Sequence, residues 1–260
     1  MSKQHLCEVV DKRELLHDIY RFTVSSSVMA QNACPGQFLE IKCGDGLEVL
    51  LRRPISISAV DKNKGEVSFI FRMKGKGTQT LARKKAGESL DILGPLGKGF
   101  SISSQNKKAA VIGGGIGIFP LLFLANELKV QQVYTYLGFR NKNFILLEDE
   151  FKSASKQLSI ATDDGSYGTR ALVTDLLLRD IENTRFDMIY SCGPLPMLKK
   201  VKEVAESANI PCEISVEERM GCGVGACLGC ACKLTDGEDF KFGHVCKDGP
   251  VFNANEIILE

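Results

Sequence analysis

The sequence predicts a multi-domain β plus α/β chain. An N-terminal antiparallel barrel comes first, then a doubly wound parallel sheet, then a small C-terminal module. Three observations predict this. Short runs with period-two alternation follow one another at regular spacing as far as about residue 100. From about residue 103, strand-like runs alternate with runs of helical period. From about residue 219 periodicity stops and cysteines crowd together. The expected domains are 1–102, 103–218 and 219–260.

In the first domain, "DIYRFTVS" (18–25), "QFLEIKC" (37–43), "ISISAV" (55–60), "EVSFIFRM" (66–73) and "SLDIL" (89–93) read as strands. Glycine-bearing turns such as "CPGQ" and "KNKGE" separate them. One helix is expected over 78–85, starting on Thr78. The polar stretch "SISSQNKK" (101–108) marks the boundary. Beyond it, "KKAAVIGGG", "QQVYTYLGF", "QLSIATDD", "FDMIYSCG" and "PCEISVEE" read as strands, the last of them closing the series. "IFPLLFLANEL", "ALVTDLLLRDI" and "PLPMLKKVKEVAESA" read as the helices between. The tail is too small to build its own core and needs a staple.

Composition narrows the function classes. The chain has 260 residues, 44% hydrophobic and 25% charged, as in a soluble globular protein. A net charge of +1 gives no electrostatic case for nucleic acid or an anionic membrane. "MSKQHLCEVVDKRELL" mixes charged and apolar residues and does not read as a signal peptide, so a cytoplasmic location is expected. The uncharged run "AAVIGGGIGIFPLLFLA" (109–125) carries four glycines and a proline. It reads as a buried strand, a glycine loop and a buried helix, not a membrane span. Ten cysteines in a reducing compartment point to metal binding or redox chemistry before disulfides.

Three motifs carry chemistry. In "GCGVGACLGCACKL" and the later "HVC", Cys222, Cys227, Cys230 and Cys246 stand as C-x4-C-x2-C, then fifteen residues, then C. This is the plant-type [2Fe–2S] spacing. Glycines 221, 223, 225 and 229 let the backbone curl and aim N–H groups at an anionic centre. Cys232 fits no ligand position, and a Rieske centre needs two histidines where only His244 is near. Zinc and plain structural thiols stay open as rivals, although common zinc ribbons pair two C-x-x-C knuckles and only one is present.

The second motif is "VIGGGIGIFP". A strand ends in Gly113, Gly114 and Gly115, with Gly117 following and Pro120 in the early turn of a helix. Such a turn lets a phosphate approach a helix N-terminus, though it also serves as a tight turn with no ligand. "YSCGPLPM" repeats the feature at Cys192, Gly193 and Pro194. Two crevices at the carboxyl ends of parallel strands suggest one nucleotide spanning both. Asp163 and Asp164 in "TDDGS" either disfavour a 2′-phosphate or cap the following turn.

The third motif pairs "RRPISI" with "FIFRMKGKGT": an Arg and a Ser on one barrel strand, then Gly75, Gly77 and Thr78 before a helix. It reads as a heterocycle and phosphate site or as ordinary strand ends. Chemistry joins the three. A nicotinamide moves a hydride and an iron–sulfur cluster moves one electron, so a flavin is needed between them.

These residues resemble the ferredoxin–NADP reductase superfamily. "RRPISI", "GGGIGIFP", "YSCGP" and "ERMGCGVGACLGCACK…HVCKDGPVF" are similar to the electron-transfer subunits of NAD-dependent, two-subunit dihydroorotate dehydrogenases, over essentially the whole chain. The resemblance implies FAD held by Arg53, Pro54, Ile55, Ser56, Ile70, Phe71 and Arg72, with Ser56 near the flavin N5 and Gly77 and Thr78 at the pyrophosphate. It implies NAD at Gly113 to Gly117 and Cys192 to Pro194, and a [2Fe–2S] cluster on Cys222, Cys227, Cys230 and Cys246. Ile55 stands where the wider superfamily has a tyrosine in R-x-Y-S or R-x-Y-T.

The resemblance also implies oxidation of dihydroorotate to orotate in pyrimidine biosynthesis. The substrate and FMN lie on a catalytic partner, with two copies of each subunit. Electrons run from FMN through the cluster and FAD to NAD. No acid or base for the substrate is recognisable in this chain, and His5 and His17 read as surface residues. Two alternatives are a subunit of a ferredoxin–NADP transhydrogenase, sulfide dehydrogenase or hydrogenase complex, and a non-enzymatic zinc-binding interaction module.

Overall fold

The computed structural model describes residues 3–44, 46, 49–128 and 132–260. Six strands close the barrel: β1 (Lys3–Leu16), β2 (Ile19–Ser25), β3 (Phe38–Ile41), β4 (Arg53–Asp61), β5 (Glu66–Arg72) and β6 (Ser89–Leu96). Their order is β1-β2-β5-β4-β3-β6, antiparallel throughout. Strand β1 is absent from the runs read above. Its alternation is diluted by charge, and it changes partner midway, pairing with β6 near Cys7 and with β2 from Val9 onward. Val9, Phe22, Leu39, Ile57, Phe69 and Ile92 fill the barrel.

Helix α1 (Ser27–Asn32), also unforeseen, buries Met29 and Ala30 against the same core, and Ser26 Oγ accepts the Met29 N–H. Helix α2 (Lys76–Ala82) starts two residues before the expected Thr78. Thr78 Oγ1 accepts the N–H groups of Lys74 and Gly75, at 2.9 and 3.2 Å, and so closes the turn from inside.

Strands β7 (Lys108–Gly114), β8 (Gln132–Phe139), β9 (Gln157–Thr162), β10 (Thr169–Arg170), β11 (Met188–Cys192) and β12 (Cys212–Ser215) pair in parallel. A further strand from the tail, β15 (Val251–Asn253), completes the order β10-β9-β8-β7-β11-β12-β15. The chain walks outward from β7 through β8 and β9 to β10, then crosses back to β11, so strand order reverses between β7 and β11. That reversal is a topological switch point, where open α/β sheets hold ligands.

Helices α3 (Ile118–Glu127) and α4 (Glu148–Ala154) cover one face of the sheet. Helices α5 (Val173–Ile181) and α6 (Leu195–Ser207) cover the other. Residues Ile118 to Ala125 of α3 are all buried, because the helix lies between the sheet and barrel strand β4. Burial on all sides explains the uncharged run 109–125. Among the described residues, no helix is long and apolar enough to cross a membrane.

Strands do not end at residue 215. Strands β13 (Ala231–Asp236), β14 (Asp239–His244) and β16 (Ile257–Ile258) form a three-stranded antiparallel sheet. Strand β15 leaves that module and pairs antiparallel with β12, Ser215 opposite Val251. These strands are short and largely exposed, so burial imposes no clear alternation on them. Other ties fix the parts together. Arg21 Nη2 meets Glu150 Oε1 at 2.9 Å between β2 and α4. The Ser101 carbonyl accepts the Tyr190 hydroxyl at 2.6 Å, and the Ser101 N–H donates to Glu213 at 2.8 Å.

Candidate cofactor sites: a two-walled cavity and a cysteine loop

A cavity of about 600 Å³ opens between barrel and α/β domain. Its barrel wall is Arg53, Pro54, Ile55 and Ser56 of β4, Ile70, Phe71 and Arg72 of β5, and Thr78 of α2. The opposite wall is Ile116, Phe119 and Pro120 at the start of α3, Cys192 at the end of β11, and Ser215 to Glu218 after β12. The second and third sequence motifs thus meet across one space. Aliphatic and aromatic groups make its middle, and the cations Arg53, Arg72 and Lys74 stand on its barrel side. These residues fit a ligand with a flat apolar ring and an anionic tail.

Two expected contacts take a different form. Gly77 does not line the cavity. A Cβ there would stand 2.7 Å from Arg53 Nε, so the glycine makes room for that guanidinium. Arg53 in turn donates to the carbonyls of Leu51 and Arg52, at 2.7 and 3.1 Å. Thr78 reaches the cavity, but its hydroxyl serves its own turn. Ile55, in the superfamily tyrosine position, is buried and also packs into the barrel core.

The glycines after β7 are built for backbone approach. A Cβ on Gly117 would stand 2.6 Å from Gly193 Cα and 2.7 Å from the Cys192 carbonyl oxygen. A Cβ on Gly114 would stand 2.8 Å from Met197 Sδ and 3.0 Å from Pro194 Cδ. Gly113 lets Ile118 and Leu121 of α3 pack on the strand, and Gly115 takes φ +56. So the two loops at the switch point touch each other. Gly193 and Pro194 face a second cavity of about 420 Å³, whose wall includes Leu195, Phe242, Glu217 and Glu218. Glu217 and Glu218 belong to both cavities, and no motif or spacing marks either of them. Burial pushes the Cys192 thiol up to about 12, so it stays neutral. Asp164 caps its turn, accepting the Ser166 N–H at 2.9 Å. His17 is exposed and His5 half-buried.

The cysteine loop lies next to the first cavity. Met220 lines that cavity, and Cys222 opens the loop two residues later. Gly223 and Gly225 take φ +70 and +79, which only glycine adopts freely. The curl aims three N–H groups at Cys222 Sγ: Ala226 at 3.2 Å, Cys227 at 3.3 Å and Val224 at 3.5 Å. The Gly225 N–H reaches Cys246 Sγ at 3.1 Å. Burial pushes the Cys222 thiol up, but the Val224, Cys227 and Ala226 hydrogen bonds outweigh it and bring it down to about 6.

The distant fourth cysteine comes from the hairpin. Ala231 pairs with His244, so Cys230 and Cys246 flank the open end of β13 and β14. The Cys246 N–H donates to Cys230 Sγ at 3.4 Å. Cys232 pairs with Gly243 farther up the strand and packs, partly buried, against the core of the α/β domain.

Among the described residues, no three His, Cys, Asp or Glu side chains are placed to hold one metal ion. Backbone hydrogen bonds tie the four cysteines two by two instead: the Cys227 N–H donates to Cys222 Sγ and the Cys246 N–H to Cys230 Sγ. Two pairs around a loop of convergent N–H groups fit a cluster of two irons with four thiolates.

Glu40 of β3 lies beneath this loop. It is 1% exposed, and its Cγ occupies the place a Gly223 side chain would take. Burial pushes its carboxyl up to about 7; Arg52 and Arg53 oppose the rise and Cys222 adds to it.

Comparison with known proteins assigns each part. Residues 6–100 match the oxidoreductase FAD-binding domain and residues 111–203 the oxidoreductase NAD-binding domain. Residues 217–258 match the iron–sulfur cluster binding domain of dihydroorotate dehydrogenase B. The electron transfer subunit of dihydroorotate dehydrogenase B (NAD(+)) from Geobacillus kaustophilus is 41% identical over 255 residues, covering 96% of this chain and 97% of its own. The same subunit from Desulforamulus reducens is 40% identical over 262 residues, covering all of both. Among solved structures, an NADH-dependent reduced ferredoxin-NADP oxidoreductase superposes with a TM-score of 0.85 at 31% identity, over all of this chain and 92% of its own. The cytochrome b5 reductase domain of Ulva prolifera nitrate reductase shares the fold, with a TM-score of 0.64 at 19% identity, covering 80% of this chain and 94% of its own.

Proposed function

This chain belongs to the electron-transfer subunits of NAD-dependent dihydroorotate dehydrogenase B, and from that premise we propose how its residues divide the work. It is an oxidoreductase subunit with FAD-binding, NAD-binding and iron–sulfur domains, serving the oxidation of dihydroorotate to orotate. The catalytic half of the enzyme is a separate partner subunit. In our reading that partner carries FMN, and the assembly holds two copies of each chain. When bound, the groups supply a carrier chain from FMN through [2Fe–2S] and FAD to NAD, with the flavin converting between single electrons and hydride.

The residues of this chain position and insulate. Cys222, Cys227, Cys230 and Cys246 are the iron ligands, in the two backbone-linked pairs already described. Arg53, Pro54, Ile55 and Ser56 with Ile70, Phe71 and Arg72 hold the flavin against the barrel. Gly77 supports them by giving Arg53 its place, and Thr78 closes the α2 turn at the pyrophosphate end. Gly113, Gly114, Gly115 and Gly117, with Cys192, Gly193 and Pro194, admit NAD at the switch point. No group need move a proton to or from dihydroorotate here, so this chain contributes placement.

The observation that carries the reading is adjacency. The loop bearing the thiol pairs begins two residues beyond a wall residue of the flavin cavity. Its other side, with Val224 43% and Leu228 59% exposed, presents apolar groups outward, where a partner surface fits.

Cys227→Ser tests the order of carriers. NADH reduction of dyes through FAD should survive, while NADH-linked dihydroorotate oxidation by the two-subunit complex is lost. Equal loss of both, in a variant that retains FAD, defeats the proposed order. A second reading, service to a ferredoxin-linked complex, draws on the relative at 31% identity. Co-purification separates the two: an FMN subunit with NADH–orotate activity supports the first reading, any other partner the second.

A further inference from the structure

Glu40 has no place in the carrier scheme. Among the described residues, three buried side-chain polar atoms lack a hydrogen-bond partner, and two are the carboxyl oxygens of Glu40. Leu39 and Ile41 face the barrel core, and Glu40, on the other face of β3, meets the cysteine loop at Gly223. A Cβ on Gly223 would overlap Glu40 Cγ and stand 2.7 Å from its Oε1. The same strand pairs Glu40 with Pro54, which lines the flavin cavity.

The neighbouring cations are already engaged. Arg52 meets Asp91 Oδ1 at 2.8 Å and the Asp91 carbonyl at 2.9 Å, touching only the backbone oxygen of Glu40, at 3.3 Å. Arg53 donates to the carbonyls of Leu51 and Arg52. Burying a carboxyl without a partner is costly, and nothing in the packing of the barrel calls for one at this position.

Resting on the assignment of the cysteines above, we propose that Glu40 is a positioning residue for the iron–sulfur centre: seated under Gly223, it holds the reduction potential of the cluster down. The loop N–H groups around Cys222 place partial positive charge on one side of the thiolates and favour the reduced state. A carboxyl on the other side of the loop opposes them through a poorly screening interior. The balance keeps the reduced cluster a strong enough donor for the flavin beside it.

The test is an EPR-monitored redox titration of the iron-loaded full chain, wild type beside Glu40→Gln and Glu40→Asp, all at one pH well above 7, where the carboxyl is ionised. Glu40→Gln keeps the shape and removes the acid. It should raise the midpoint so that the reduced-to-oxidised ratio at a given potential rises about tenfold, equivalent to 59 mV for one electron. Glu40→Asp keeps the acid and should hold the midpoint near that of wild type. An unmoved midpoint in Glu40→Gln overturns the proposal, as do equal shifts in both variants. A Glu40→Gln protein that loads no iron also overturns it, since the residue is then structural. A wild-type chain with no reduced-cluster signal defeats the ligand assignment itself, a separate failure.

Discussion

The nucleotide crevice and the cysteine loop solve the same problem by opposite means. At the switch point, Gly114 and Gly117 of one loop meet Pro194 and Gly193 of the other, and the site is made of backbone with side chains removed. In the cysteine loop the backbone curls as well, but toward particular sulfur atoms, those of Cys222 and Cys246. The first site depends on what is absent and the second on what is present. One should therefore fail when atoms are added, the other when atoms are exchanged.

The sharpest way to break that comparison is Gly117→Val. The new side chain meets the Gly193 Cα and the Cys192 carbonyl, both backbone, so neither can swing aside. NADH reduction of the bound flavin should fall roughly 100-fold, as misplacement by an ångström does. Iron content and its spectrum should be unchanged. Stability should fall by about 1–3 kcal/mol in thermal melts. Wild-type NADH kinetics would show that the crevice does not hold the nucleotide.

A smaller effect follows from Gly225→Ala. The residue takes φ +79, so alanine costs about 1 kcal/mol. The atom it adds meets the flexible Lys247 side chain, which can yield. Iron loading should drop only in part, with NADH–dye activity intact. Complete loss of iron would mean that the loop tolerates no more than the crevice does. The smallest effect belongs to Cys232→Ala. It lies two residues along the chain from Cys230, against the core. Iron content per chain should equal that of wild type, and a loss of iron would return Cys232 to the ligand set.

How far the sequence could be read follows the same division. Repeated glycines and cysteine spacing are local, so the two loops after β7 and β11 and the Cys222–Cys230 run were legible as patterns. The pairing of Cys246 with Cys230 depends on the register of a hairpin whose strands are mostly exposed, and exposed strands carry little alternation. Strand β1 escaped because its partner changes partway along. Glu40 illustrates the deeper limit. In "QFLEIKC" it sits on the face that, in an isolated barrel, would be the wet one, so the pattern is that of an ordinary half-exposed strand. Only the cysteine module, arriving from residues beyond 219, covers that face. Glu217 and Glu218 were invisible for a like reason, since two separate walls give them their setting.

Strand β15 has a bearing on how this chain can be cut and recombined. It is the outermost member of the large sheet, lying against β12, yet it is reached only after the whole cysteine hairpin. A chain shortened before the hairpin would leave the β12 edge unpaired, an invitation to strand pairing between molecules. The electron-carrying appendage is thus no detachable cassette. Transplanting it to another reductase requires carrying over a sheet edge that accepts its returning strand.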